Sequence, residues 1–350
     1  MESALTTIPP NSPASAIASA DLPLHVGPAM ISASTSMRPV TTGINPPQAS
    51  RLPWAASPAM PRGMHVLTLI APPGTLSADL IARVAKAVGG TPTMLSDHEA
   101  AAISIDAPPD PVRLQDAIGA APIDTAVTPA VNRRKRLLIA DMDSTIVTSE
   151  TLDELAGHAG LQDQVAAITR RSMNGEVEFT AALRERVGLL RGLPLDALAQ
   201  TWNRTRVTDG AAELVATMRA HGATAALVSG GFTYFTGRVA AQLGFDTHRA
   251  NTLLDDGAAL TGQVGEPILD RASKLEILTS LAAAGGLGLD DCLAVGDGAN
   301  DLAMIAAAGL GVAFHAKPVV ATAARVRIQH CGLRALLFMQ GYSAAEIVPG

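Results

Sequence analysis

The sequence predicts an α/β protein with a Rossmann-like parallel sheet at its core. The main observation is a set of short apolar runs that each end at polar residues, at 137–140, 223–228 and 292–295. Runs of four to six residues are too short for a core helix and are typical of strands buried on both faces. Segments with helical spacing lie between them, at 211–221, 238–243 and 273–284. Strands that alternate with helices predict parallel βαβ units with right-handed crossovers.

Two additions to this core are expected. Residues 150–205 have apolar positions at mostly helical spacing and no strong strand pattern, which predicts a small helical cap inserted after the first strand. Asp255-Asp256-Gly257 lies between two short apolar pieces and predicts a β-hairpin outside the core.

A separate α+β domain is predicted at residues 64–132. Its pattern gives strands at 66–70, 91–95, 101–105 and 124–127 and helices at 77–88 and 112–118. This βαββαβ order is the split ferredoxin-like arrangement. It resembles the ACT-like domains, which often sense amino acids. No motif here specifies a ligand, so a regulatory and a dimerising role both stay open, and we expect a homodimer.

Residues 1–63 predict a disordered leader, because they are rich in Pro, Ser, Ala and Thr and show no lasting periodicity. Two alternatives stay open: a transit-like or regulatory extension, and a translation start at an internal methionine such as Met64. The following 287 residues include the two folded domains, with residues 133–350 forming the larger one.

Composition excludes several classes of protein. A net charge of −6 gives no electrostatic footprint for nucleic acid. Two cysteines cannot form a disulfide framework, so a cytoplasmic setting is expected. No charge-free apolar run reaches about 18 residues, so we expect no membrane span. The basic run at 133–136 is expected to be solvated at a domain junction.

Polar residues with phosphate chemistry follow each predicted strand of the core. Asp141 and Asp143 can share a divalent cation, or divide the roles of nucleophile and proton donor. Ser229-Gly230-Gly231 offers a hydroxyl and, at a helix start, backbone N–H groups to phosphate oxygens. Asp297, alone or with Asp301, would complete an oxygen-rich site for Mg²⁺. Taken singly, Ser229-Gly230-Gly231 is usually a plain turn, the Asp141 stretch is equally well explained as a strand that runs into a capped turn, and the Asp297 motif could be a loop with a capped helix.

Lys274 completes an ordered set, because its ammonium can lie near both the phosphate and the nucleophile. The order Asp141-Met142-Asp143-Ser144-Thr145, Ser229-Gly230-Gly231, Lys274, Gly296-Asp297-Gly298-Ala299-Asn300-Asp301 resembles that of the haloacid dehalogenase-like hydrolase superfamily. The resemblance covers about residues 134–345. Within the superfamily it is strongest to the phosphoserine phosphatase family. Met142 departs from the phenylalanine often found there, an exchange that should alter packing more than chemistry.

The resemblance implies Mg²⁺-dependent hydrolysis of O-phospho-L-serine to L-serine and phosphate, the last step of L-serine biosynthesis. It implies that Asp141 is the nucleophile that becomes an aspartyl phosphate, and that Asp143 is first the acid and then the base. Mg²⁺ would be held by Asp141, the backbone carbonyl of Asp143 and Asp297. The implied substrate-binding residues of the core are Ser229, Gly230, Lys274 and Asn300.

The resemblance also assigns four residues of the cap. Glu150 would receive the substrate ammonium and Arg186 would clamp its carboxylate. Met173 and Phe179 would form apolar walls. Without the resemblance, a solvated helix face for Arg186 and plain core positions for Met173 and Phe179 would be favoured.

Two other functions stay open on the sequence. One is a related phosphatase or phosphotransferase that acts on another small phosphomonoester. The other is a catalytically inert regulatory protein whose ACT-like domain senses an amino acid. The complete catalytic set argues against the second.

Overall fold

The computed structural model describes residues 65–173 and 176–350, with Met173 described by its backbone only. The predicted disordered leader lies outside these residues. None of the helices in this described part is long and apolar enough to cross a membrane.

The first domain has the element order that the sequence predicts. Its elements are β1 (His65–Ile70), α1 (Ala78–Val88), β2 (Thr91–Ser96), β3 (Ala100–Ile105), α2 (Pro111–Ile118) and β4 (Asp124–Pro129). The four strands form an antiparallel sheet in the order β2-β3-β1-β4. Both helices have side-chain N-caps, since Ser77 accepts from the Leu80 N–H and Asp110 from the Arg113 N–H.

This sheet has two apolar faces. Because side chains alternate along a strand, Leu67 and Leu69 point to one side and pack with the helices α1 and α2. Ile70, with Ala100 and Ala126, belongs to the core of the second domain. The first domain is therefore packed against the second and is not an independent appendage.

The second domain is built on a six-stranded parallel sheet in the order β12-β11-β10-β5-β6-β7. Its strands are β5 (Leu137–Ala140), β6 (Thr224–Phe232), β7 (Thr247–Asn251), β10 (Cys292–Gly296), β11 (Leu310–Phe314) and β12 (Val326–Ile328). Its helices are α7 (Ala211–Ala220), α8 (Thr233–Leu243), α9 (Ser273–Ala284), α10 (Leu302–Ala307), α11 (Pro318–Ala323) and α12 (Ala335–Met339). The predicted Rossmann-like parallel sheet is confirmed, and the strands β7, β11 and β12 extend it beyond the three that the sequence indicated.

One boundary of this sheet differs from the prediction. The segment Ser229-Gly230-Gly231 was expected to end its strand in a turn, but β6 continues through it to Phe232. The register with β7 shifts between Val228 and Phe232, so the three residues lie at an irregularity in the ladder. The extended backbone is retained because the strand pairs with β7 again at Phe232.

The cap inserted after β5 is helical, as expected. It contains α3 (Thr151–Gly157), α4 (Gln162–Met173), α5 (Phe179–Gly188) and α6 (Asp196–Arg204). The predicted hairpin is also present, with β8 (Leu253–Asp255) antiparallel to β9 (Leu260–Val264).

The hairpin holds one end of the cap. The loop between α5 and α6 exchanges backbone hydrogen bonds with it, from the Gly192 N–H to the Leu260 carbonyl at 2.8 Å and from the Leu260 N–H to the Leu193 carbonyl at 2.9 Å. A further bond joins the Leu195 N–H to the Ala258 carbonyl at 3.1 Å. The α5–α6 end of the cap is thus anchored to a chain segment that leads back to the core.

The basic run at 133–136 corrects an expectation. Arg136 is exposed, but Lys135 is buried and donates to the carbonyls of Asn132 and Asp290, both at 2.7 Å. Arg133 donates to the Thr68 hydroxyl of β1 at 3.1 Å and to the Met339 carbonyl of α12 at 3.2 Å. Burial, and secondarily Arg134, lower the pKa of Arg133 to about 10. The run therefore joins the domains instead of being solvated, because carbonyl and hydroxyl acceptors take the place of water.

Candidate active site

The acidic motifs meet because their strands are neighbours. The strand β5 lies between β10 and β6, so the carboxyl ends that carry Asp141, Asp297 and Ser229 are adjacent. A pocket at this edge is lined by residues of the three strand ends and of the cap: Asp141, Asp143, Glu150, Thr151, Leu152, Thr169, Ser172, Phe179, Leu183, Arg186, Ser229, Gly230, Gly231, Arg271, Asp297, Gly298, Ala299, Asn300 and Lys317.

Asp141 lies at the centre of a buried charge cluster. Its Oδ1 accepts the Met142 N–H at 2.8 Å and is 2.8 Å from the Lys274 Nζ. The same ammonium is 2.5 Å from Asp301 Oδ1. Burial and the carboxylates of Asp301 and Asp297 raise the pKa of Asp141, and Lys274 opposes them. Burial would lower the pKa of Lys274, but Asp141 and Asp301 raise it above its usual value. Lys274 is therefore held as a cation.

Asp143 faces a different set of partners. Its Oδ1 accepts from the Thr151 N–H at 2.9 Å and the Thr151 hydroxyl at 2.7 Å, and its Oδ2 accepts from the Ser229 hydroxyl at 3.0 Å. Burial and the nearby Glu150 raise the pKa of Asp143 to about 6, against the lowering effect of these hydrogen bonds. A carboxyl with this pKa can both donate and accept a proton near neutral pH.

The β6 segment at Ser229 is packed tightly around Asp143. The Ser229 hydroxyl accepts from the Gly231 N–H at 2.8 Å while it donates to Asp143. A Cβ at Gly231 would lie 2.8 Å from Asp143 Oδ2 and 3.0 Å from Ser229 Oγ. Glycine is therefore required here by close approach of the backbone to the acid.

The cap contributes one acid and one base to the pocket. The Glu150 Oε1 accepts from the Ser144 hydroxyl at 2.8 Å. Arg186 donates from Nη1 to the Thr169 hydroxyl at 3.2 Å, and burial lowers its pKa although Asp153 and Glu150 oppose this. Opposite charges therefore face the pocket from the same cap.

The apolar cap residues are placed differently. The ring of Phe179 lies over Gly230, since a Cβ on that glycine would be 3.2 Å from Phe179 Cζ. Met173 is the last residue of α4, and its side chain is outside the described part of the structure. Asn300 lines the same pocket as Asp297.

The carboxylates fit a divalent cation. Ligand atoms of Asp141, Asp297 and Asp301 all lie within 4.8 Å of one another, and carboxylate oxygens are the ligands that hard cations prefer. Burial raises the pKa of Asp297 to about 7, Asp301 adds to this, and Lys317 opposes it. Asp301 has both oxygens engaged, one by Lys274 and one by the Gly298 N–H at 2.9 Å. Asp141 and Asp297 are therefore the better placed ligands.

Sequence reasoning missed several polar residues of the pocket. Thr151 holds Asp143, Thr169 holds Arg186, and Lys317 lies 3.7 Å from Asp297 Oδ2. Hydroxyls and lysines are common on helices, so no spacing marks them. The position of Thr151 directly after Glu150 was the one available signal.

The chain is similar to several known proteins. A family model described as haloacid dehalogenase-like hydrolase matches residues 138–306. The phosphoserine phosphatase of Archaeoglobus fulgidus is 47% identical over 189 residues, 54% of this chain and 55% of that protein. The phosphoserine phosphatase of Methanocaldococcus jannaschii is 39% identical over 207 residues, 59% of this chain and 98% of that protein. A crystal structure of a HAD family hydrolase from Salmonella enterica serovar Typhi has a TM-score of 0.71 at 28% identity, covering 80% of this chain and 99% of that chain.

The parallel sheet, the strand-end acids and the family match define a haloacid dehalogenase-like hydrolase. The chain spans only about half of the Archaeoglobus protein but nearly all of the Methanocaldococcus one. On the strength of the second match, the chain belongs to the phosphoserine phosphatase family.

Proposed function

We propose that this chain hydrolyses O-phospho-L-serine to L-serine and phosphate, as the last step of L-serine biosynthesis. The observation that carries the proposal is that Glu150 and Arg186 line the same pocket as Asp141 and Asp143. Phosphoserine has an ammonium and a carboxylate besides its phosphate, so an acid and a base in the pocket complement it. The names of the relatives support the same substrate.

The first half-reaction transfers the phosphoryl group to Asp141. A carboxylate oxygen of Asp141 attacks phosphorus, the bond from phosphorus to the serine oxygen breaks, and protonated Asp143 gives its proton to that oxygen. Serine leaves, and an aspartyl phosphate remains. Lys274, at 2.8 Å from Asp141, offsets the negative charge that the phosphoryl group brings to this cluster.

The second half-reaction returns the chain to its starting state. Asp143, now ionised, takes a proton from a water molecule, whose oxygen attacks phosphorus as the bond to Asp141 breaks. The products are phosphate and the Asp141 carboxylate. We propose that the Ser229 hydroxyl and the backbone around it bind phosphoryl oxygens. Gly230 and Asn300 are the further phosphate-side contacts that we propose.

We propose Mg²⁺ as the cation, held by Asp141, the backbone carbonyl of Asp143 and Asp297. When bound, it would neutralise charge on the carboxylates and on the phosphoryl oxygens. The raised pKa values of Asp141 and Asp297 support the site, because crowded carboxylates favour binding of a cation.

We further propose that the first domain is ACT-like and regulatory or dimerising, that the chain forms a homodimer, and that it acts in the cytoplasm. The βαββαβ order and the ferredoxin-like strand order support the first point. The two buried, unpaired cysteines are compatible with a reducing compartment.

The test is phosphate release from L-phosphoserine, D-phosphoserine, phosphothreonine and a neutral aryl phosphate, each with Mg²⁺ and with a chelator. We expect metal-dependent turnover that strongly favours L-phosphoserine. Metal-dependent turnover that favours another ester would retain the chemistry and reject the substrate. No turnover of any ester would reject the enzyme.

A further inference from the structure

Arg186 is a partly buried cation held by neutral groups. Its Nη1 donates to the Thr169 hydroxyl at 3.2 Å and its Nε to the Ala182 carbonyl of its own helix at 3.3 Å. Among residues 65–173 and 176–350, no carboxylate lies within ion-pair distance of its guanidinium. Its charge is therefore available to an anion that enters the pocket.

Acids that could neutralise this cation lie in the same region. Asp153 and Glu150, at the start of the cap helix α3, exert the largest charge effects on Arg186. A long arginine side chain that moved towards either of them would form an ion pair inside the protein. An ion pair with Asp153 would neutralise the base that the substrate carboxylate needs. An ion pair with Glu150 would neutralise that base and also the acid that the substrate ammonium needs.

The hydrogen bonding of Thr169 fixes its hydroxyl as an acceptor for Arg186. Thr169 lies on α4, and its Oγ1 donates to the Val165 carbonyl one turn earlier at 3.1 Å. A hydroxyl has one proton and two lone pairs. Since the proton is used within the helix, a lone pair remains for the guanidinium. The α4 backbone thereby orients the hydroxyl that holds the Arg186 guanidinium in place.

We infer that Thr169 is a positioning residue that holds Arg186 towards the substrate carboxylate and away from Glu150 and Asp153. The inference rests on the proposed function and deepens it. Thr169 touches Arg186 and lines the pocket, but it has no part in the transfer of the phosphoryl group.

The test compares Thr169→Val and Thr169→Ser on two substrates, L-phosphoserine and O-phosphoethanolamine, which has the ammonium but no carboxylate. Valine keeps the shape of threonine and loses the acceptor, whereas serine keeps the acceptor. For Thr169→Val we expect kcat/KM on phosphoserine to fall about tenfold, mostly through KM, as for the loss of one hydrogen bond to a charged group. On phosphoethanolamine we expect a change of less than twofold. Thr169→Ser should stay within threefold of the wild type on both substrates.

The Arg186→Ala background shows whether Thr169 acts through Arg186. There, Thr169→Val should cause no further loss on phosphoserine. A further loss, an equal loss on both substrates, or a Thr169→Ser variant as impaired as the valine variant would overturn the inference in favour of a structural role. No effect of Thr169→Val on phosphoserine would also overturn it.

The wild-type protein separates this inference from the proposed function. A preference of the wild type for phosphoserine over phosphoethanolamine supports the carboxylate clamp before any variant is measured. If the wild type shows no such preference, the clamp fails, and the role of Thr169 fails with it. If the preference exists and Thr169→Val retains it, only the inference about Thr169 fails.

Discussion

The two acids of the first motif are separated by one residue and have different surroundings. Asp141 lies 2.8 Å from the Lys274 ammonium, which opposes the rise in its pKa caused by burial and the neighbouring carboxylates, whereas Asp143 is hydrogen-bonded by two hydroxyls beside Glu150. A nucleophile must be ionised, and an acid that later becomes a base must titrate near the working pH. The local contacts therefore agree with one role for each residue.

Asp141→Asn tests the nucleophile. An amide cannot form the aspartyl phosphate, so we expect steady-state turnover to fall by roughly 10³-fold or more. The variant should remain folded, as measured by circular dichroism, because Asn retains an acceptor for Lys274 and the Met142 N–H. Substantial turnover by a folded variant would remove Asp141 as the nucleophile.

Asp143→Asn should make the protein more stable in a pH-dependent way. The pKa of this carboxyl is 3.8 ordinarily and about 6 in the fold. As the pH rises from about 4 to about 6, the unfolded chain loses the proton before the folded chain does, and the folded state loses stability. Asn does not titrate. The variant should therefore gain about 2–3 kcal/mol above pH 6 and little below pH 4.

The measurement is urea unfolding of both proteins at pH 4 and pH 7.5 with a chelator present, so that no cation binds the carboxylates. Turnover should be lost in the variant at both pH values. A gain in stability that is equal at the two pH values would contradict the raised pKa.

The sequence predicted which residues of the core meet in one pocket. Asp141, Ser229 and Asp297 line it together, and they were singled out because their apolar runs are short and their order is specific. The partners Thr151 and Thr169 were not, since each acts on a side chain 8 or 17 positions away through a contact that only the packing of the cap creates.

At the scale of elements, the sequence predicted whether a segment is a helix or a strand better than it predicted the residue at which the element ends. The strand β6 was expected to stop before Ser229, because Ser-Gly-Gly is typical of turns. The segment stays extended since β7 pairs with the chain on either side of it, at Val228 and at Phe232. A neighbouring strand thus overrides a local preference, and no local pattern records its presence.

The contact between the hairpin and the cap predicts a difference between two glycines. Gly262 has a φ of +76°, and a Cβ there would lie 2.9 Å from the Arg191 Cβ and 3.2 Å from the Gly188 carbonyl. Gly257, at the hairpin tip, has a φ of +90° and no atom within 4 Å of such a Cβ. Both alanine variants suffer backbone strain of about 1 kcal/mol. Only Gly262→Ala should also displace the cap, for a total loss of about 2–3 kcal/mol.

Hydrogen exchange at Gly192 and Leu195 measures this displacement, because their N–H groups donate to the hairpin. We expect faster exchange in Gly262→Ala and wild-type exchange in Gly257→Ala. Equal exchange in the two variants would mean that the hairpin does not anchor the cap.

For the whole molecule, the sequence predicted two folded domains but not the extent of their contact. The element order of residues 65–129 gives a sheet whose helices cover one face. Nothing in the pattern shows that the other face packs on α12, since this requires the position of a helix more than 200 residues away. The basic run at 133–136 appeared solvated for the same reason, because the residues that accept its hydrogen bonds are distant in the sequence.

Asp124, the first residue of β4, is buried and links the two domains through hydrogen bonds to its carboxylate. Its Oδ1 accepts the Gln329 N–H at 2.8 Å, and its Oδ2 accepts the N–H groups of His330 at 3.1 Å and Cys331 at 2.9 Å. The three donors follow β12, in the loop that leads to α12. Removing the carboxylate would leave backbone donors without an acceptor at the junction.

Asp124→Ala should therefore destabilise the protein by about 2–4 kcal/mol in urea unfolding, since hydrogen bonds to a charged group are lost and the Cys331 N–H remains buried without an acceptor. Asp110→Ala is the matched control, because Asp110 caps α2 in the same domain and is exposed. The free energy of unfolding of Asp110→Ala should fall by about 1 kcal/mol. Amide exchange at 329–331 should accelerate in Asp124→Ala and stay unchanged in Asp110→Ala. Unchanged exchange in both variants would show that the junction is held by its apolar face and not by this carboxylate.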